Sequence, residues 1–298
     1  MRSDIVVFGD SVTWGQGHKD ANKFANQVAD ALHLKLDQVA HSGATIGRND
    51  VHTASCGPEA PIHYPTIFQQ VARAGGNPDD AAVVIVDGGI NDIGVQVILN
   101  PFTLKAFLRN QIRHYCFEDM VALLTTILTR YPASETTIVV TGYFPVFSND
   151  SDFNRVLDYL HGIGIAPPPH LMTSDKDRRA FAFASIELAL LFWQESRLQL
   201  QRAVAAMQTG RVIFADVPFQ EENAMFASHP WLFNVHLDAH TGRLVPEDDV
   251  IAERHEQCVK CYPHDPFGRA FCDIASAGHP NRPGSEQYTT AILAALGR

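Results

Sequence analysis

The chain has 298 residues, of which 46% are hydrophobic, and its formal net charge at pH 7 is −10. This length and hydrophobic content predict a single large α/β domain over residues 1–298, with insertions. The acidic balance argues against nucleic acid and anionic membrane surfaces as partners, and the sequence has no run of eighteen apolar residues that would predict a membrane span.

Short apolar runs predict five strands that alternate with helices. In chain order, the predicted strands are residues 5–8, 34–40, 81–86, 136–140 and 211–215. The predicted helices are residues 23–32, 66–74, 104–131, 175–207 and 283–296. Because strands that alternate with helices form a parallel sheet covered on both faces, we expect a flavodoxin-like three-layer α/β/α sandwich with a five-stranded parallel sheet.

Two stretches do not follow this alternation, and we interpret them as insertions. They are residues 146–174, which contain three consecutive prolines, and residues 218–270, which are irregular and rich in histidine and aromatic residues. Phe144, Phe147 and Trp231 lie in or beside these stretches and are candidate contacts for an apolar acyl or aryl group. The alternative is that they only pack the insertions onto the rest of the domain.

A polar turn follows the first predicted strand directly, and Ser11 lies in it. The carboxyl edge of an open α/β sheet is where ligands bind. A serine hydroxyl at this edge is a nucleophile when a base and donors for an oxyanion are nearby, and otherwise it is a helix cap. The remaining motifs decide between these two interpretations.

Four short motifs, each after a predicted strand or before the last helix, occur in a fixed order. They are Gly-Asp-Ser-Val at 9–12, Ser-Gly-Ala-Thr at 42–45, Gly-Ile-Asn-Asp at 89–92 and His-Pro at 279–280. In this order they resemble the sequence blocks of the GDSL, or SGNH, hydrolases, which are serine esterases and lipases. The resemblance spans nearly the whole chain, with the middle unmatched.

The resemblance implies an ester hydrolase that needs no metal or organic cofactor. Ser11 would be the nucleophile and His279 the base. The oxyanion hole would consist of the backbone N–H groups of Ser11 and Gly43 and the side-chain amide of Asn91. The residue types suit these roles, because glycine allows close approach of the backbone and asparagine is an uncharged donor.

The sequence departs from the family pattern at the acid of the triad. The family usually has an aspartate three residues before the histidine, where this chain has Ser276, and the nearest upstream acid is Asp273. Three interpretations are open: the Asp273 carboxylate reaches the imidazole, a backbone carbonyl near Ser276 orients the ring of a dyad, or Ser276 Oγ does so. We take Asp273 as the candidate acid by a narrow margin.

The five cysteines have several possible roles. The spacing of Cys258 and Cys261, with Cys272 nearby, could supply half of a zinc site or a disulfide in an oxidising compartment. Without a second Cys-x-x-Cys pair, free buried thiols are the default and no metal is expected. Cys56 and Cys116 have no evident partner in the sequence.

The sequence thus predicts hydrolysis of a small-molecule or lipid ester through an acyl-enzyme on Ser11. The alternatives are a thioesterase or acyltransferase that uses the same residues, or a catalytically silent binding protein with the same fold. The first residues lead directly into a strand without a signal peptide, so a cytoplasmic location is expected, or secretion if a leader was removed. The oligomeric state is left open.

Overall fold

Five parallel strands form the central sheet of the computed structural model, which describes residues 4–47, 56–62, 64–167 and 174–298. The strands are β1 Asp4–Phe8, β2 Lys35–Gln38, β3 Ala81–Val86, β4 Thr137–Thr141 and β5 Val212–Ala215. Their order across the sheet is β2-β1-β3-β4-β5, and every neighbouring pair is parallel. The chain therefore winds in opposite directions from β1, and this reversal opens a crevice at the carboxyl ends of β1 and β3.

Helices flank this sheet, as the alternation predicts, and confirm the three-layer α/β/α fold. They are α1 Ser11–Trp14, α2 Phe24–Leu32, α3 Ile67–Arg73, α4 Ile90–Ile93, α5 Val95–Leu99, α6 Lys105–Arg113, α7 Met120–Arg130, α8 Phe153–Gly162, α9 Asp175–Ala206, α10 Ile251–Cys261, α11 Pro266–Asp273 and α12 Arg282–Ala295. A π-helical turn, His114–Asp119, joins α6 to α7, so the long predicted helix is present with an irregular middle. No helix in the described part of the chain has both the length and the apolar character needed to cross a bilayer.

The two stretches interpreted as insertions contain ordered structure. The first holds α8, which is capped by the carboxylate of Asp152. The second holds a two-stranded antiparallel hairpin, β6 Val235–Leu237 and β7 Leu244–Pro246, followed by α10 and the start of α11. These helices are amphipathic, but they are only 8 to 11 residues long and lie between irregular segments, so the interpretation of both stretches as irregular missed them.

The core lies on both faces of the sheet. Val7, Val84 and Ile85 are fully buried, as are Val139 and Val140 on β4. Full burial of one such side chain is worth about 1.5–3 kcal/mol, so the central strands form a rigid support. The loops at their carboxyl ends are therefore held in fixed relative positions.

The cysteines are paired differently from the expected free thiols. One disulfide joins Cys56 to Cys261, and the other joins Cys258 to Cys272. Cys116 remains a buried free thiol. The pairing of Cys56 was not foreseeable because its partner lies 205 residues away. Since these sulfurs are bonded to each other, they are not available as the thiolates that a zinc site requires.

Candidate active site

Ser11 and His279 meet at the carboxyl edge of the sheet. Ser11 is the first residue of α1, just after β1, and His279 lies in the loop before α12. The distance between Ser11 Oγ and His279 Nε2 is 2.7 Å. This is the contact that a base needs in order to take the proton of a serine nucleophile.

The loop that carries His279 is held from both sides. The N–H of Phe233 donates to the His279 carbonyl at 2.8 Å, and the N–H of Gly278 donates to the Phe233 carbonyl at 2.9 Å. On the other side, His18 Nε2 hydrogen bonds with the Pro280 carbonyl at 3.0 Å. These contacts fix the backbone of the loop and thereby the position of the His279 imidazole relative to Ser11.

Three candidate hydrogen-bond donors, one of which is the N–H of Ser11 itself, belong to residues that line one cavity. Gly43, just beyond β2, has φ +77°, and a Cβ there would lie 2.8 Å from the Pro61 Cα, so only glycine fits. Among the described residues, the N–H groups of Ser11 and Gly43 donate to no protein atom. Asn91, in α4, lines the same cavity as Ser11, Gly43 and His279. The sequence-predicted oxyanion donors are thus brought to one place.

A buried pair of carboxyl groups lies under the Ser11 turn. Asp87, at the end of β3, accepts hydrogen bonds from the Asp10 N–H and the Thr13 hydroxyl, both at 2.9 Å. Asp10 accepts from the Val12 N–H and from the Tyr143 hydroxyl, both at 2.8 Å. Burial raises the pKa of Asp10 to about 6 and raises the pKa of Asp87 well above its ordinary value. Burial thus favours the protonated form of both carboxyl groups, and their hydrogen bonds hold the turn.

Asp92 orders a second turn of the site. Its carboxylate accepts hydrogen bonds from the N–H groups of Ile46 at 3.0 Å and Gly47 at 3.4 Å. Burial raises its pKa to about 6. These two hydrogen bonds hold the turn at Ile46 and Gly47.

The structure does not bring Asp273 to His279. The Asp273 carboxylate hydrogen bonds with His255 at 2.9 Å, because Asp273 is the last residue of α11 and faces α10. Ser276 Oγ is also engaged elsewhere, since it donates to Asp248. Among the described residues, His279 Nδ1 is buried and has no hydrogen-bond partner of good geometry. The Ser276 and Ala277 carbonyls act on the ring by raising its pKa, without a hydrogen bond of good geometry to Nδ1.

The surroundings of His279 keep its ring neutral. The pKa of His279 is lowered to about 4, chiefly by burial and to a smaller extent by the Arg254 charge. The Ser276 and Ala277 carbonyls and the Asp248 charge act in the opposite direction, but less strongly. At neutral pH the imidazole is unprotonated and available as a base.

A model of the GDSL-like lipase/acylhydrolase family matches residues 7–162, which is more than half of the chain. The chain belongs to the GDSL-like lipase/acylhydrolase family. The matched residues include Ser11, Gly43 and Asn91, whereas His279 lies beyond them. A comparison with curated protein sequences finds no significant match.

Several solved structures are similar to this acylhydrolase. A carbohydrate esterase family 2 enzyme plus carbohydrate-binding domain from Corynascus thermopiles (Myceliophthora fergusii) is 18% identical with a TM-score of 0.47, over 100% of this chain and 68% of that chain. The lipase Lip_vut3 from a goat rumen metagenome is 13% identical with a TM-score of 0.47, over 98% of this chain and 97% of that chain. The salicylyl-acyltransferase SsfX3 from a tetracycline biosynthetic pathway is 12% identical with a TM-score of 0.42, over 100% of this chain and 55% of that chain.

The cavity of this GDSL-like acylhydrolase is small next to Ser11 and wider beyond it. The part that contains Ser11 and His279 has a volume of about 110 Å³. It continues, past Gly43, Asn91 and Phe271, into a groove of about 460 Å³. Apolar and aromatic side chains line the two parts: Val95, Tyr159, Ile163, Phe271 and Ile274 in the first, and Tyr64, Tyr262 and Phe267 in the second.

The predicted substrate contacts are not among these lining residues. Phe144 and Phe147 are buried, and their rings pack 5.6 Å from Phe219 and 5.7 Å from Tyr159, measured between centroids. Trp231 packs on Phe219 at 5.4 Å. These ring contacts agree with the alternative interpretation, in which the aromatic residues pack the insertions onto the rest of the domain. The observed walls come largely from α5, α8 and α11, and no motif in the sequence marked them.

Proposed function

We propose that the chain is a serine hydrolase that cleaves carboxylic esters through an acyl-enzyme. The observation that carries the proposal is the 2.7 Å contact between Ser11 Oγ and His279 Nε2, beside three donors that line one cavity. These groups suffice for acyl transfer, which needs an activated hydroxyl, a base and oxyanion donors.

In the first half of the reaction, neutral His279 takes the proton of Ser11 as Oγ attacks the acyl carbonyl. The N–H groups of Ser11 and Gly43 and the Asn91 amide donate to the oxyanion of the tetrahedral intermediate. Protonated His279 then gives its proton to the departing alkoxide oxygen. This step releases the alcohol and leaves the acyl group on Ser11.

In the second half, His279 takes a proton from water, and the resulting hydroxide attacks the acyl-enzyme. Collapse of the second tetrahedral intermediate returns the proton to Ser11 Oγ and releases the acid. The 110 Å³ cavity beside Ser11 fits a short acyl group, and the wider groove fits the alcohol portion of the ester.

The same groove supports acyl transfer to an alcohol as a second candidate function. An acceptor that occupied the 460 Å³ groove would take the place of water at the acyl-enzyme. Product analysis with p-nitrophenyl acetate and added glycerol or methanol separates the two. A new ester as the main product supports a transferase, whereas acetate as the only product supports a hydrolase.

The experiment that tests the proposed function compares Ser11→Ala and His279→Ala with Ser185→Ala. Ser185 is a buried serine in α9 that serves as a matched control. We expect the first two variants to lose p-nitrophenyl acetate hydrolysis and the control to retain it. A fluorophosphonate probe should label the wild type at Ser11. Full activity of Ser11→Ala would contradict Ser11 as the nucleophile. An inert wild type would contradict the proposal and favour a silent binding protein.

The two disulfides bear on where this reaction takes place. Structural disulfides persist in oxidising compartments and are rare in the cytosol. We therefore propose action in an oxidising compartment rather than the expected cytoplasm. Thiol counting on protein purified from its native source, under conditions that block disulfide exchange, tests this: one free thiol supports it and five contradict it.

A further inference from the structure

Ser276 takes the position, three residues before the base, where the family pattern has an aspartate. Ser276 is fully buried, and its hydroxyl donates to the Asp248 carboxylate. Asp248 lies just after the β6-β7 hairpin, and its side chain is 0% exposed. A buried carboxylate is thus tied to the turn that ends at His279, although it comes from a different segment of the chain.

The Asp248 carboxylate is held by two further donors. Arg254, which is fully buried in α10, forms an ion pair with it, and the Val250 N–H donates to it at 2.9 Å. Arg254 Nε also donates to the Asp273 carbonyl at 2.9 Å, at the end of α11. Because breaking a buried ion pair leaves an uncompensated charge, this arrangement strongly resists displacement.

Other charged groups surround the ion pair. Glu59, from the segment 56–62, has its carboxylate 3.6 Å from the Arg254 guanidinium. The charge of Lys23 also acts on Glu59 and lowers its pKa, although burial raises that pKa overall. Among the described residues, Glu59 and Asp248 are the carboxylates that pair with Arg254, and the charges of Arg254 and Asp248 both act on His279.

The turn between Ser276 and His279 is short. The His279 N–H donates to the Ser276 carbonyl at 3.0 Å, and the Ala277 N–H donates to the Ile274 carbonyl at 2.9 Å. A shift of the Ser276 backbone would therefore move the imidazole. Fixing Ser276 Oγ on Asp248 fixes the ring relative to Ser11.

We propose that Asp248 is the positioning carboxylate of this site and acts on His279 through the hydroxyl of Ser276. The carboxylate does not touch the imidazole. It holds the Ser276 turn so that His279 Nε2 meets Ser11 Oγ. The inference rests on the proposed function, because it assigns a role only if His279 is the base.

The first test is Ser276→Ala, with Ser185→Ala as a control for the loss of one buried serine hydroxyl. Ser185 donates to the Leu99 carbonyl, far along the chain from the site. We expect Ser276→Ala to lower kcat between about 10- and 100-fold with KM unchanged, because a misplaced base is costly even when the substrate still binds. The control should keep the wild-type kcat. A kcat within twofold of wild type, or an equal loss in both variants, overturns the proposal.

The second test moves the carboxylate. Asp248→Asn removes it, and the double variant Asp248→Asn with Ser276→Asp places it three residues before His279, within the same cluster. We expect the double variant to regain about tenfold in kcat over Asp248→Asn. A folded double variant that is no more active than Asp248→Asn overturns the proposal, and melting curves of both variants establish folding.

The pH profile adds a measurement that a purely structural role would not change. Asp248 raises the pKa of His279, so Asp248→Asn should move the acid limb of kcat/KM to lower pH. Ser276→Ala, which leaves all charges in place, should keep the limb at the wild-type pH. An active Ser11→Ala overturns both this inference and the proposed function. An inactive Ser11→Ala beside an unaffected Ser276→Ala overturns the role of Asp248 alone.

Discussion

The side-chain amide of Asn91 donates to the Ala44 carbonyl at 3.1 Å, which fixes the orientation of the amide. Among the described residues its second N–H has no acceptor, as the proposed oxyanion role requires. The donor is thus in place before substrate binds, in the cavity that also contains Ser11. A preorganised donor of this kind acts on the transition state without reorganisation.

Replacing Asn91 by alanine should lower kcat about 100- to 1000-fold with little change in KM, because the donor serves the oxyanion more than the ground-state ester. Steady-state kinetics on p-nitrophenyl acetate measure this. Asn149→Ala, at an exposed asparagine outside the cavity, is the control. A loss confined to KM would contradict the oxyanion role.

The acid limb of kcat/KM should lie near pH 4. Burial lowers the pKa of His279 to about 4, and protonation removes the base, so activity is retained from neutral pH down to this value and falls below it. Initial rates between pH 3.5 and 8 measure the limb, and circular dichroism at each pH shows whether the protein is folded. An acid limb near the ordinary histidine pKa of about 6.5 would contradict the lowered pKa of His279.

Asp87→Asn should flatten the dependence of stability on pH. A carboxyl whose folded-state pKa is raised contributes stability that is complete below its unfolded pKa and is lost as pH rises through the folded pKa. The asparagine amide replaces the protonated carboxyl and removes this loss. Between pH 5 and 8, the melting temperature of the wild type should fall more steeply than that of the variant. Equal slopes of melting temperature against pH in the wild type and the variant would contradict the raised pKa of Asp87. The control is Asp79→Asn, at an exposed aspartate.

Removing the Cys258–Cys272 disulfide should weaken both stability and substrate binding. The bond closes a segment with a sequence separation of 14, for which the expected stabilisation is about 3 kcal/mol. It also holds α11, whose Phe271 lines both parts of the cavity. The double variant Cys258→Ser with Cys272→Ser should lower the free energy of unfolding by about 2–4 kcal/mol and raise KM. Denaturant unfolding and kinetics measure the two effects, and an unchanged KM would contradict the coupling to the cavity.

The small cavity should limit the acyl group. We expect hydrolysis of p-nitrophenyl acetate to exceed that of the octanoate, and Ile163→Ala to shift the preference toward longer chains, because Ile163 lines the cavity beside Ser11. Ile165→Ala, at a buried position that is not among the lining residues, is the matched control. If both variants shifted the acyl-length preference equally, the cause would be a general loosening of the core and not a contact between Ile163 and the acyl group.

The turn residues of the site could be predicted from the sequence because their signals are local. An apolar strand that ends at Gly9 requires the next residues to leave the sheet, and parallel strands place such exits at a common edge. Ser11, Gly43 and Asn91 each follow a strand closely, so strand prediction places them at one edge of the sheet, whereas their roles came from the family resemblance. His279 was found by its order in the family pattern.

The acid and the cavity walls depended on contacts between segments far apart in the chain. Asp273 is near His279 in sequence, yet α11 turns its carboxylate toward His255. Asp248 reaches the Ser276 turn from 28 residues away, after a hairpin that carries no motif.

By itself, the sequence determined the parallel sheet, the turn after each strand and the residue types in those turns. These features depend on side-chain periodicity and turn chemistry, which act over a few residues. Only the tertiary structure decided which carboxylate supports the base, which cysteines pair and which helices form the walls of the cavity. Those outcomes depend on how long, irregular loops pack, and the free energy of that packing is spread over many weak contacts that no short motif encodes.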